Sequence, residues 1–341
     1  MLLAKLCQIV FCLKLTLQKA PSPALLPCCD RLFNSAEECA HLWRRLGCDY
    51  NVVQVSQGPL HGRLRVDHQN GMLLVSMQAN QALLIEGTRH PRWLSFTVEH
   101  TDNYGDHCHF GEALAPNSVS GFNIKMKESF FKTSAGGNRI GAVLVDRSRI
   151  DDWSELMGAA EIFERMEHNN TAILSSAAYR KLRQLMVLPA WQGEDVAHPF
   201  QADLLEAQLI ESLSSKKETL MRPVVKTHHS DLVQELVRYS FRSSTTPISL
   251  SAVCQTLFTT KTTLTVSCRE IFGCGPMALM RRIRLQQVRD VLANPDLRQQ
   301  LGCHTVQQVA VHFGFVSRNH FASAYRELFG EAPRTTLLAS R

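Results

Sequence analysis

Several things are missing from this chain of 341 residues, and each absence closes off a class of function. No Cys-x-x-Cys pair occurs among its 11 cysteines, so zinc-ribbon and thioredoxin-like readings lack their usual spacing. The cysteines are odd in number and irregularly placed, with Cys7, Cys12, Cys28, Cys29, Cys39 and Cys48 crowding the start. Reduced, buried thiols in a cytoplasmic protein are the reading this favours, with redox sensing by Cys28 and Cys29 as the sharper alternative. No uninterrupted apolar run approaches the ~20 residues that cross a bilayer, so no membrane partner is expected. Residues 1–16 have a passing likeness to a secretory signal, but Gln8 and Lys14 break the apolar run. Pro21, Pro23 and Pro27 follow without a cleavage site, and residues 1–30 are read as a loosely ordered extension. No Gly-x-Ser-x-Gly elbow is present, and neither a Walker nor a dinucleotide pattern surrounds Gly87 or Gly136-Gly137. No catalytic residue, metal ligand or cofactor is therefore assigned, and the chain is read as a non-enzyme.

Excess charge is also missing over most of the chain. The first 229 residues hold 24 Lys and Arg against 24 Asp and Glu. From Ser230 to Arg341 there are 13 against 7, so the whole net charge of +6 lies there. That is the distribution an electrostatic grip on phosphates requires.

The same basic segment carries an internal repeat. Leu250, Val253 and Leu257 fall at helical spacing behind Ser249, which is placed to cap them. After a break at Phe258-Thr259, Thr260 can cap a second helix with Leu264, Cys268, Ile271 and Phe272 on its apolar face. Its polar face shows Thr262, Thr265, Val266 and Arg269. Further on, Thr305 can cap a helix of Val306, Val309, Ala310 and Phe313, Gly314 permits a tight turn, and Ser317 caps the next helix. There Phe321, Tyr325 and Leu328 face inward, while Arg318, Asn319, Ala322, Ser323 and Arg326 face out. Each second helix ends in Phe-Gly followed three residues on by Pro: Phe272-Gly273 with Pro276, and Phe329-Gly330 with Pro333. These are two helix–turn–helix patterns in tandem. A purely structural helical bundle is the competing reading, and it leaves the repeated capped turn and exposed polar face unexplained.

The stretch from Phe272 to Leu292, and the one from Val309 to Pro333, resemble the linking helix and the second motif of AraC/XylS-type transcription regulators. The resemblance covers about the last 110 residues. It implies that each motif places one recognition helix in the major groove of double-stranded DNA. By match to the family motif, Thr262, Thr265, Val266, Arg318, Asn319 and Ser323 would face base edges. Lys261, Arg269, Arg282, Arg284 and Arg326 would meet phosphates. The chain departs from the pattern at Phe258, where Gly is commoner, and at Thr336, where an aromatic often follows the second Pro, so the final helix is expected to pack less firmly. Val266 and Ser323 stand where Arg is frequent, so the operator cannot be read from the family. RNA polymerase, a small-molecule effector and a second copy of the chain are the further partners the resemblance implies.

Ahead of this lies a stretch with another rhythm. Ser35-Ala-Glu-Glu38 is a capping box for a short helix through Leu42 and Leu46. From Tyr50 the apolar period becomes two, through Val53, Val55, Leu60, Leu64, Val66 and the run Met72–Met77, with a hairpin turn at Gln69-Asn-Gly71. Further runs at 82–85, 93–98, 120–124, 129–133 and 140–145 predict a small β-barrel or double sheet, as in a cupin-like sensor. Gly58-Pro-Leu-His-Gly62-Arg-Leu, followed by such strands, resembles the ethanolamine-operon regulator subset of the family. Trp93, Phe96, Tyr104, Phe110, Phe122, Phe130 and Phe131 are candidates to line a ligand pocket.

His100, His107, His109 and Glu112 tempt a metalloenzyme reading. Metal-binding cupins place Glu four or five residues after the second His of His-x-His, whereas Glu112 follows His109 by three and no further His comes before His168. The turn-like residues before them favour a solvated loop. Helical periodicity returns in three stretches: Trp153, Leu156, Met157 and Ala160; 172–187; and 202–213. The polar stretch 214–229, with Pro223, reads as a linker.

The expected architecture is α+β: residues 31–150 a β-rich sensor, 151–213 a helical dimerisation region, 214–229 the linker, and 230–341 an all-α DNA-binding domain. The expected function is a sequence-specific transcription regulator acting on an operon in response to a sensed signal. A protein-partner-binding N-terminal domain, or a cupin-type metalloprotein fused to a DNA-binding domain, stay open as alternatives.

Overall fold

A strand that is apolar at nearly every position, as Met72–Met77 is, is stable only where both faces of its sheet are covered. The computed structural model describes residues 28–340 apart from 70, 102–104, 135, 157–159, 188–198, 216–218 and 244–248. Residues 1–27 of the expected N-terminal extension, and Tyr104, lie outside the described residues, whereas Cys29 and Asp30, expected in that loose extension, already belong to a strand over Cys29–Phe33. The run Met72–Met77 forms β4 (Met72–Ala79) near the middle of a large sheet. The sheet is built from β1 (Cys29–Phe33), β3 (Gly62–Gln69), β4, β11 (Asn138–Asp146), β6 (Trp93–Glu99), β9 (Ser118–Ser120), β12 (Thr171–Ile173) and β13 (Leu220–Arg222), in that spatial order. A second sheet faces it, ordered β2 (Asp49–Gln54), β5 (Leu83–Thr88), β10 (Glu128–Lys132), β7 (Cys108–His109) and β8 (Glu112–Ala113). All pairings are antiparallel among the described residues.

Alternation along each strand gives three apolar layers. Leu73, Val75 and Met77 point between the sheets, into a core with Ile85, Ala142, Leu144 and helix α1 (Ala36–Arg45). Ser35 caps α1, its side chain accepting from the Glu38 N–H, but the expected capping box is only half formed, since Glu38 accepts from Asn34 N and not from the N–H of Ser35. Met72 and Leu74 point the other way, to a layer with Phe96, Phe122, Val143 and Val145. That layer is covered by α2 (Arg147–Leu156), α3 (Ala160–His168), α4 (Ser176–Leu185) and α5 (Pro199–Ser214).

The outer face of the smaller sheet makes the third layer. Val53, Val55, Leu84, Phe110 and Phe130 pack in one core with Leu232, Val233, Leu236 and Val237 of α6 (His228–Arg242) and with the first motif. That motif consists of α7 (Leu250–Thr256) and α8 (Lys261–Phe272). The second motif, α11 (Val306–His312) and α12 (Arg318–Phe329), has its own core with α13 (Pro333–Ala339). A single helix, α9 (Pro276–Ala293), serves both: Leu279, Met280 and Ile283 enter the first core, and Leu285, Val288, Val291 and Leu292 the second. A short helix, α10 (Pro295–Gln300), leads on from α9.

Three further expectations need correction here. The stretch 214–229 is not a free linker: Leu220–Arg222 pairs with Thr171–Ile173 and ends the large sheet. The helix expected over 172–187 begins only at Ser176, because 171–173 are drawn into that sheet and Ser175 caps the helix beyond it. Thr336 does not loosen the last helix. It is buried, its hydroxyl 2.8 Å from Tyr325 Oη and donating to Glu331 Oε1 at 2.9 Å, while Arg289 pairs with that carboxylate at 3.1 Å.

Arg284, expected at a phosphate, is buried inside the C-terminal unit. Its Nη1 donates to Phe313 O at 3.3 Å and its Nη2 to Ser243 O at 3.2 Å. Those carbonyls end α11 and α6, so one guanidinium ties the C-terminal ends of helices from both halves, where helix dipoles favour a cation. Arg284→Met, which keeps the bulk and removes the donors, should destabilise the native chain by about 1–3 kcal/mol in urea unfolding followed by circular dichroism. An unchanged midpoint would show that the bracket carries no stability.

Candidate nucleic-acid interface

The two candidate recognition helices are built alike from their first residue to their last. Thr260 accepts from Thr263 N at 3.1 Å to start α8, and Ser317 accepts from His320 N at 3.4 Å to start α12. Both end at a glycine in the left-handed conformation, Gly273 (φ 66°) and Gly330 (φ 74°). Each glycine's N–H bonds the carbonyl four residues back, Arg269 O and Arg326 O respectively. The turn before α8 reaches the left-handed conformation without glycine: Phe258 sits at φ 50° with its ring 97% exposed. In a residue with a Cβ this conformation costs about 1–2 kcal/mol.

Each helix buries one face and shows the other. Leu264, Cys268 and Ile271 are buried in α8, and Phe321, Tyr325 and Leu328 in α12. On the outer faces Lys261, Thr262, Val266 and Arg269, then Arg318, Asn319, Ser323 and Arg326, are exposed. Thr265 is half-buried, and its hydroxyl donates back to Lys261 O at 2.7 Å. Arg282 is half-buried, with its Nη1 3.8 Å from Cys274 Sγ. His320 is exposed at the N-terminal end of α12, and Arg281 is exposed on α9. Neither was singled out from sequence, although a helical wheel drawn from the Ser317 cap would have exposed His320.

What the sequence did not signal is how the β-domain holds both helices. Lys132 Nζ, at the end of β10, donates to Ile271 O at 2.8 Å. Gln54 Nε2 and Gly58 N each donate to Leu328 O at 3.0 Å. Ile271 and Leu328 are equivalent in the repeat, each two residues before the capping glycine. The smaller sheet and the loop after β2 thus supply donors to the same unsatisfied carbonyl of both helices. Gln57 adds a 2.6 Å bond to Glu327, and Arg289 donates to Asn34 O at 3.1 Å. On α6, Arg238 meets Glu86 at 2.9 Å and Glu128 at 2.8 Å, and Lys226 reaches Glu128 at 3.2 Å. Burial alone would raise the Glu128 carboxyl, but Arg238 and Lys226 hold it below its ordinary value.

The opposite face of the same small sheet lines a cavity between the sheets. Its volume open to the centre of a water molecule is about 90 Å³. Tyr50, Ile85, Ser129 and Phe131 come from this sheet, Val75, Met77, Trp93 and Ala142 from the large one, and Trp43 from α1. Of the described aromatics expected to line a pocket, only Trp93 and Phe131 do so. Phe96 and Phe122 belong to the layer under α2–α5, and Phe110 and Phe130 to the layer shared with the first motif.

The histidines are not on a solvated loop. His107 is fully buried, its Nδ1 2.9 Å from Glu99 Oε1 and its Nε2 2.9 Å from Ser134 Oγ. His109 lies on β7, where burial, with the positive charges of Arg89 and Lys226, depresses its pKa to about 3. Among the described residues no group of three or more His, Cys, Asp or Glu is placed to hold a metal.

Comparison with known proteins meets this geometry at the C-terminal end. A family model described as a helix-turn-helix domain matches residues 253–338. The XylDLEGF operon transcriptional activator 2 of Pseudomonas putida is 37% identical over 65 residues, 19% of this chain and 39% of its own. The HTH-type transcriptional activator RhaS of Salmonella dublin is 24% identical over 163 residues, 47% of this chain and 55% of its own. The chain thus spans about half the length, or less, of these curated relatives. A probable AraC family transcriptional regulator from Rhodopseudomonas palustris, of known structure, aligns with 33% of this chain and 98% of its own, at 27% identity and a TM-score of 0.29.

Removing the side-chain donors to the two helix ends, which leaves Leu328 O with the Gly58 N–H alone, should loosen both together. In Gln54→Ala/Lys132→Met, with about 1 kcal/mol lost per bond, amide hydrogen exchange at the C-terminal ends of α8 and α12 should quicken about five-fold. Unaltered exchange at both ends would show that these contacts do not hold the helices.

Proposed function

We propose that the chain is a sequence-specific DNA-binding transcription regulator of AraC type, acting as an activator, on the strength of the helix-turn-helix domain matched over residues 253–338. The observation that carries this reading is the matched pair α8 and α12. They are alike in N-cap and left-handed C-cap, each has an exposed polar face, and α9 braces them from within. A helix of 18 residues is about 27 Å long, which suits two helices entering successive major grooves on one face of a modestly bent duplex.

Within this reading Thr262, Thr265, Val266, Arg318, Asn319 and Ser323 meet base edges. Arg and Asn are the residues able to make two bonds at once to guanine and adenine, while Val266 offers apolar contact to a thymine methyl. Lys261, Arg269, Arg282 and Arg326 meet phosphates. Arg284 is withdrawn from that set because its guanidinium is engaged by two helix ends inside the domain. The cavity of the β-domain is the effector site. Its signal reaches DNA through the small sheet, whose other face packs on α6 and the first motif. The chain acts as a homodimer in the cytoplasm and recruits RNA polymerase. Among the described residues no helix is long and apolar enough to cross a membrane.

Arg318→Ala should relax preference at particular base pairs, a loss of about 1–3 kcal/mol in discrimination. Arg326→Ala should weaken binding evenly across sequences and flatten its salt dependence by about one phosphate. Selection on randomised duplexes checks both, and an unaltered base preference in Arg318→Ala would contradict the assignment of α12.

A further inference from the structure

The cavity contains a cation with no anion beside it. Arg89, just past β5, lines it together with His109, Ser120 and Gly121. Its Nη1 donates to Gly121 O at 2.7 Å and its Nη2 lies 3.3 Å from His109 Nε2. Among the described residues no carboxylate lies within ion-pair distance of it. The other nearby cation, Lys226, is matched by Glu128 and stands over the Phe110 ring. The imidazole beside Arg89 makes the shortage of acceptors worse. Asn170 Nδ2 lies 3.1 Å from His109 Nδ1, while Asn170 Oδ1 is taken by the N–H of Asn123. A neutral imidazole has one acceptor nitrogen, yet donors face both of its nitrogens. Positive charge and donors are therefore in surplus at this end of the cavity.

The rest of the wall is of another kind. Trp43, Met77, Ile85, Trp93, Phe131 and Leu144 make it largely apolar. Two of its hydroxyls, Ser95 and Thr97, bond each other at 3.0 Å. A polyol would set most of its hydroxyl groups against hydrocarbon, since beyond Ser95 and Thr97 the wall offers hydroxyls only from Tyr50, Ser120 and Ser129. A dianion would leave one charge unmatched, since a single guanidinium faces it. A monocarboxylate with an apolar body satisfies both ends: two oxygens for the planar fork of Arg89 and hydrocarbon for the wall. The space is several times the ~10–15 Å³ that one water requires by the same measure, enough for a small organic body and not just a single water.

We infer that the cavity between the sheets binds a small monocarboxylic acid of apolar body, its carboxylate on Arg89 and its hydrocarbon between Trp43 and Trp93. The inference rests on the regulator reading only for the ligand's role as an effector.

The test is calorimetric titration of the full chain with benzoate and octanoate, each paired with its neutral amide, together with tryptophan fluorescence. At least one acid should bind with one-to-one stoichiometry and change that fluorescence, and its amide should bind at least ten-fold more weakly. Arg89→Gln should lose at least ten-fold in affinity for the acid and leave the amide unaffected, while Arg89→Lys should retain part of the acid binding. No binding of either acid, equal binding of acid and amide, or undiminished acid binding by Arg89→Gln would overturn the inference. Should Arg89→Gln not fold, the acid–amide comparison on the parent chain decides alone. Acid binding that leaves affinity for DNA untouched would refute the effector role and support the ligand assignment.

Discussion

Two carbonyl oxygens, and the donors that satisfy them, tie the candidate recognition helices to the β-domain. A helix leaves its last carbonyls without partners, and in α8 and α12 the equivalent ones, Ile271 O and Leu328 O, are bonded from the β-domain. The bonds themselves are ordinary. Their consequence is geometric, because the same sheet fixes both candidate recognition helices at the ends that face it, while α9 fixes them from within. Orientation is thus over-determined, and α8 and α12 cannot turn independently while both sets of contacts persist.

The small sheet lies between the cavity and the first motif. Successive residues alternate between its faces, so Leu84 and Phe130 pack on the first motif while Ile85 and Phe131 line the cavity. Glu86, the next residue of β5, is the partner of Arg238 on α6. A ligand that moved Ile85 would act on the strand that also carries this ion pair. The path from cavity to α6 is a single strand thick.

Much of this was legible in the sequence wherever the signal is local. The four N-caps Ser249, Thr260, Thr305 and Ser317, the repeated Phe-Gly ends and the buried faces of α8 and α12 are all read from spacing, as are most of the strands. What was misread depends on distant partners. Arg284 looks like a surface cation, but α9 lies between two motifs, and residues 283–286 are buried in succession, which the one-sided pattern of an ordinary amphipathic helix does not foresee. His107 gave no sign that Glu99 and Ser134 would enclose it. Leu220–Arg222 passes for linker because it is only three residues long, sits within a polar stretch and forms the edge strand of its sheet. Nothing local marks Lys132 or Gln54 as donors to helix ends 139 and 274 residues away.

The central claim is that α8 and α12 read DNA as one rigid unit. It is tested most directly on a selected operator in which about 5 base pairs are inserted between the two groups of base pairs contacted by α8 and by α12, which rotates one group to the opposite face of the duplex. The account predicts that specific binding by the full chain is lost, and that inserting a full turn of about 10 base pairs does not restore it, because α9 and the sheet fix the separation. Affinity retained after the half-turn insertion would contradict the account, since it would mean that one motif alone reads the sequence.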